Sequence, residues 1–219
     1  MGVEGQENMA QLRFPKEGSI PEFLAALASP EDAHGVLAAA ATAGAMGASL
    51  LRMVAALPQT LPDGDDDQAA LVSAAAALVR VQEELLETVE IETALKLFAA
   101  RSLPKASRAE RAKRESAIQF AVRAALDVPL EVMRLCDRAL QRAVAVARRS
   151  PRAASTDVEF AVAMLEAAFN AARSNLETKL PILTDVAHVT SIGEQVARLS
   201  DDAAGAADAA RSLVKVSPT

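Results

Sequence analysis

The chain has no tryptophan or tyrosine, one cysteine, two histidines and an aromatic content of only 3%. Strands draw on aromatic and β-branched side chains, so a sheet-based core is not expected. Cys136 alone cannot form an internal disulfide, which fits a reducing, cytoplasmic setting. The net charge is −6 and the chain lacks the dominant cationic character through which proteins release phosphate counterions, so no nucleic-acid partner is expected. The start, "MGVEGQENMAQLRFPKEG", does not run from positive to apolar as a signal peptide does, and residues 1–18 are expected to be a flexible leader. A membrane span is not expected either. The longest apolar stretch, Val36 to Leu51, holds 16 uncharged residues, mostly alanine and glycine, where a span needs about 20.

What is abundant is alanine, within a hydrophobic fraction of 51%. That composition predicts an all-α protein with enough apolar surface for one core. Punctuation divides the chain into helical segments. Ile20 to Ala28 is a short amphipathic helix, and "SPED" after it offers Ser29 as N-cap, Pro30 at the first position and acids in the first turn of a second helix reaching about Leu57. On that second helix Ala40, Gly44 and Gly47 form a small-residue stripe, which allows another helix to approach closely. A loop dense in aspartate precedes a long third helix, about Asp66 to Ser102, whose Leu71, Ala74, Leu78, Val81, Leu85, Val89 and Leu95 recur at helical spacing.

A fourth segment, Ser107 to Leu126, meets "DVP" at Asp127 to Pro129, where loss of a backbone donor predicts a kink or break before a fifth helix to about Arg149. Arg134, Arg138 and Arg142 share one face of it and are expected to pair with Glu131 and Asp137. Ser155, Thr156 or Asp157 is expected to cap a sixth helix that Pro181 stops, and a last helix runs from about Asp185 to Leu213. The expectation is an up-and-down bundle of five to six main helices with one long member, spanning 19–213 as a single domain, with a frayed tail at 214–219. So long a third helix also predicts a homodimer.

"LPKASRAERAKRESAIQFAVRAALDVPLEVMRLCDRAL", Leu103 to Leu140, resembles the helical family of formiminotetrahydrofolate cyclodeaminases and methenyltetrahydrofolate cyclohydrolases. The resemblance rests on Leu103–Pro104–Lys105, Arg114, Ile118–Gln119, Ala125 and Val128–Pro129, in register without insertion. It extends through "GAMGASLLRMV" and through "STDVEFAVAMLEAAFNAARSNLETKL", which ends near Asn175. The resemblance implies a helical homodimer that binds a reduced folate in a groove at the helix ends, with no cofactor and no metal. It implies either opening of the 5,10-methenyl ring by water or formation of that ring with loss of ammonia. Both reactions need a proton-transferring carboxylate and positioned donors. On this resemblance Glu90 is the acid/base, Asp157 with Thr156 orients the pterin end, Gly35 with His34 forms the helix N-terminus at the ligand, and Lys105 and Asn175 complete the substrate contacts.

Four departures coincide with the implied site. The family's glycine-rich loop reads Asp32–Ala33–His34–Gly35–Val36, so only Gly35 keeps bare backbone there. Lysines suited to a glutamate tail are replaced by Thr60 to Asp63 and further aspartates. The family's aspartate is Glu90, and the signature serine-aspartate-x-glycine is Thr156–Asp157–Val158–Glu159. These changes open two alternatives to the ordinary folate reaction: a related pterin or one-carbon compound as substrate, and a non-catalytic, dimeric binding or assembly protein. Each residue also has a plainer role: Glu90 as one more acid on a solvated face, Asp157 as a helix cap, Lys105 as part of a solvated helix start and Cys136 as a small buried apolar group. Glu31-x-x-His34 and Asp185-x-x-His188 share the spacing of metal-binding helix pairs but lack the further glutamates such sites need.

Overall fold

A computed structural model describes residues 19–29, 35–57, 65–101 and 108–216. They form six α-helices: α1 Ile20–Ala28, α2 Val36–Ala55, α3 Asp65–Arg101, α4 Arg108–Arg149, α5 Ser155–Lys179 and α6 Val186–Val216, with short 3-10 turns at Arg152–Ala154 and Leu180–Ile182. No strand occurs among the described residues, and the all-α expectation holds. Val89 and Leu95, expected on the core stripe of the long helix, have side chains outside the described residues, whereas Leu71, Ala74, Leu78, Val81 and Leu85 are all buried.

Three local expectations are corrected. Ser29 does not start the second helix; it ends α1, with extended backbone (φ −81°, ψ 125°) and its N–H donated to Ala26 O at 3.3 Å. Pro30 supplies the reason, since a proline pushes the preceding residue out of the helical region. The start of α1 instead holds a capping box between Ser19 and Glu22. None of Ser155, Thr156 and Asp157 caps α5. The 3-10 turn feeds that helix, the N–H of Ser155 bonding to Arg152 O, and Ala154 occupies the cap position. Finally, of the kink or break expected at "DVP", the break does not occur: α4 runs 42 residues with Pro129 inside it. An interior proline costs a helix about 3 kcal/mol. Here Leu126, Leu130, Met133 and Leu140 form one buried face across that point, and each fully buried side chain returns about 1.5–3 kcal/mol.

The helices α2, α3, α4 and α5 pack around one core, each against its neighbours in the ring, while α6 lies over the α4–α5 seam. Leu37, Leu51, Leu78, Leu85, Met133 and Leu165 fill the centre. The small-residue stripe sets the closest approach. A Cβ built at Gly47 falls 2.8 Å from Ala161 O and 3.0 Å from Leu165 Cγ; one at Gly44 meets Leu85 Cδ1 at 3.1 Å and Cys136 Sγ at 3.2 Å. Cys136 is fully buried, and burial pushes its thiol up to about 12, with the adjacent Asp137 adding to the shift. It is a packing residue.

Polar contacts tie α6 to α4. Gln119, from the Ile118–Gln119 pair of the resemblance, donates through Nε2 to Ile182 O at 3.1 Å and accepts the Thr184 N–H at 3.1 Å. Asp185 accepts the His188 N–H at 3.1 Å, as a helix cap, and meets Arg123 at 2.7 Å. The His188 N–H, followed by Arg123, holds its carboxyl below the usual range. The Asp185-x-x-His188 spacing is thus that of a cap. Arg134 and Arg138 do pair with Glu131, at 3.2 and 3.3 Å, but Asp137 accepts from Gln141 instead, and Arg138 also reaches Glu84 at 2.6 Å.

Three outcomes follow from these contacts. Gly47→Ala is expected to destabilise the fold by about 1–3 kcal/mol in urea unfolding, because a backbone carbonyl stands in the way. Gly44→Ala, meeting only side-chain ends, is expected to cost less, helped by alanine's helix propensity of about 1 kcal/mol over glycine. Gln119→Ala is expected to lose about 1 kcal/mol and to speed hydrogen exchange at Thr184 while sparing the α2 core.

Candidate functional site

The site follows from how the helices run. Gly44 of α2 faces Ala168 of α5 and Gly47 faces Ala161 and Leu165, so the two helices are antiparallel. By the same register Leu85 of α3 lies level with Gly44. Helical rise then sorts the expected site residues between two ends of the bundle.

One end carries the start of α2, the later turns of α3 and the last turns of α5. Gly35 is the N-cap of α2, extended at φ −144° and ψ −165°, with no side-chain cap and no acid in the first turn. The positive end of that helix dipole is unopposed by side chains of α2, in contrast to the boxed start of α1. Asn175 lies on the same side of α5 as Ala161, Leu165, Ala168 and Ala172, continued by one turn, which brings it level with the first turn of α2. Its Oδ1 is buried without a hydrogen-bond partner, as is Gln82 Oε1 on α3. An unmet buried acceptor costs about 1–3 kcal/mol, and a donor arriving on a ligand would recover that. The α3 backbone at Glu90 is helical and one turn past Leu86, toward this same end; the side chains of residues 89–101 lie outside the described set. His34 and Lys105 lie outside the described residues altogether.

The other end carries Thr156 and Asp157. Both sit in the first turn of α5, Thr156 exposed and Asp157 half-buried. Asp157 favours the helix dipole there. Eighteen residues of α5 separate it from Asn175, about 27 Å at the helical rise. Within one chain, Gly35, Glu90 and Asn175 therefore share an end, and Thr156 and Asp157 do not join them. Glu159, in place of the family's glycine, is exposed.

A surface feature escaped the sequence expectations. Val36, Ala39, Ala43, Met46, Leu50 and Met53 follow a strict 3-4-3-4-3 spacing along α2. None is charged, and Val36, Met46 and Met53 are 54%, 53% and 43% exposed. This is the spacing of an a/d seam. Phe160, on α5, is 58% exposed. The heptad spacing is plain in the sequence, about a quarter-turn around α2 from the small-residue stripe. The 20-residue α2 is also long and apolar enough to cross a membrane by length and composition, although Arg52 ends its uncharged run after 16 residues; half of its apolar window is buried inside the bundle. Among the described residues no cluster of three metal-ligating side chains occurs.

Comparison with known proteins agrees with this architecture. Residues 19–198 match the family model described as formiminotransferase-cyclodeaminase. A methenyltetrahydrofolate cyclohydrolase from Methylorubrum extorquens is 30% identical over 170 residues, covering 76% of this chain and 81% of that protein. The formimidoyltransferase-cyclodeaminase of Gallus gallus is 25% identical over 201 residues, 91% of this chain but 36% of that longer protein. The crystal structure of formiminotetrahydrofolate cyclodeaminase from Thermotoga maritima shares the fold, with a TM-score of 0.80 at 18% identity over 91% of this chain and 96% of that one. With its helical ring, its resembling segments and a family match across most of its length, the chain belongs to the formiminotransferase-cyclodeaminase family.

Proposed function

We propose that this protein opens the five-membered ring of 5,10-methenyltetrahydrofolate with water, at two sites each completed across a two-fold homodimer. As a family member it is a folate one-carbon protein. The observation that carries the cyclohydrolase reading is the 30% identity to a cyclohydrolase over most of both chains. No cofactor is invoked, and a cytoplasmic location belongs to the same proposal.

The reaction adds water to the cationic bridging carbon. A base takes a proton from that water to leave a neutral tetrahedral carbinol; one carbon–nitrogen bond then breaks as its nitrogen receives a proton, while the carbinol O–H gives its proton to solvent and becomes the formyl C=O, so one proton is released overall. One carboxylate can take the first proton and return it to the nitrogen; this role falls to Glu90. The free N–H groups at the start of α2, beside Gly35 and His34, suit developing negative charge on the carbinol oxygen. Asn175 Oδ1 accepts from a pterin N–H, and by the family resemblance Lys105 is the cation assigned to the anionic tail.

The seam on α2 supplies the remaining part. Two copies pairing antiparallel along Val36, Met46 and Met53 bring the Asp157 end of one chain beside the Gly35 end of the other. Thr156 and Asp157 then orient the pterin in the partner's site, and the separation of about 27 Å within one chain ceases to matter.

The decisive assay follows methenyltetrahydrofolate absorbance. Wild-type protein is expected to exceed the buffer rate, and Glu90→Gln to lower kcat by about 100-fold or more. Asp157→Asn is expected to be similarly impaired, yet a refolded mixture of the two inactive variants should regain about a quarter of the activity, since half the dimers are mixed and each holds one intact site. A wild-type rate equal to buffer rejects the enzyme and leaves a non-catalytic dimeric binding protein; activity with no regain on mixing rejects the shared site. Met46→Glu with Met53→Glu is expected to give a monomer by light scattering, and an unchanged dimer mass would reject the seam.

A further inference from the structure

We infer that the groove between α3 and α4 binds a compact oxyanion carrying two or more negative charges. The groove opens in two adjoining stretches of about 480 and 230 Å³ that share Gln141 as a lining residue. Five arginines line it: Arg80, Arg138 and Arg142 in the larger stretch, Arg148 and Arg149 in the smaller, and no carboxylate lines either. Acids outnumber bases 29 to 23 in the whole chain, so this surface runs against the protein's own charge balance.

The arginines differ in what already occupies them. Arg138 is held at the rim by Glu84 at 2.6 Å and Glu131 at 3.3 Å. Arg80, Arg142 and Arg148 have no ion-pair partner among the described residues. Three guanidinium groups without counter-charges, Arg80 on one wall and Arg142 and Arg148 on the other, repel one another until an anion arrives. The floor between them is small: Ala76 and Ala77 line the larger stretch, Ala70 and Ala145 the smaller. Alanines keep the groove concave and let the planar forks reach a ligand from both walls. The geometry of guanidinium suits bidentate contact with phosphate or carboxylate oxygens. The neighbouring seam between α4 and α5 is covered by α6, whereas this one is lined by α3 and α4 alone. No residue assigned to the folate site lines it, and the inference does not rest on that proposal.

The test is calorimetric titration of the full chain at constant ionic strength, with sodium tripolyphosphate in one arm and citrate in the other. Saturable binding of one anion per chain is expected in at least one arm, and the arm that binds tells a phosphate ligand from a carboxylate one. Arg80→Gln with Arg142→Gln is expected to weaken it by about tenfold or more, while Arg198→Gln, an exposed arginine on α6, leaves it unchanged. Both variants alter surface side chains, and circular dichroism checks that they fold. Absence of saturable binding in both arms overturns the inference, as does binding that survives the paired substitution or falls equally with Arg198→Gln.

Discussion

The close approach of α2 to α5 at Gly47 is the constraint on which the rest depends. A Cβ there would stand 2.8 Å from a backbone carbonyl, so no other residue lets the two helices reach this distance. That contact sets α2 antiparallel to α5 and fixes which residues share a level. It puts Asn175 level with the first turn of α2 and sends Asp157 to the far end. Alanines at 161, 168 and 172, all buried, extend the same close packing along the seam. Alanine is the commonest residue of the core and buries little area, so at those positions short interhelical distance and dense packing have to supply the cohesion that large side chains provide elsewhere.

Much of the architecture was legible from sequence because periodicity and small-residue spacing are local signals that packing then reinforces. The α3 stripe from Leu71 to Leu85 and the Ala40, Gly44, Gly47 stripe both came through. The failures were at boundaries. Ser29 looks like a helix start because serine before proline is a common N-cap pattern, yet that proline restrains Ser29 into ending the preceding helix. Pro129 looks like a stop, and only the long-range burial of Leu126, Leu130 and Met133 lets α4 continue through it. Thr156 and Asp157 look like caps, but a preceding 3-10 turn had already supplied the backbone partners.

The candidate site was legible as chemistry and not as geometry. Glycine at a helix start, a carboxylate on the long helix and an asparagine far along α5 can each be picked out by type. That Asp157 lies a whole helix length away from the others is a consequence of antiparallel packing, which no local pattern encodes. The α2 seam is the converse case: its heptad spacing is local and plain, but its meaning depends on knowing that the small-residue face of α2 is already committed to α3 and α5.

Asn175 and the uncapped start of α2 also bear on how this protein responds to heat. Both leave hydrogen-bonding capacity unfilled at one end of the bundle. A molecule that fills it binds the folded chain and not the unfolded one, so its binding energy adds to the folding energy in proportion to the logarithm of its concentration. The melting temperature is therefore a gauge of occupancy, and the end of the bundle that is least satisfied when empty is the part whose stability is borrowed from solution.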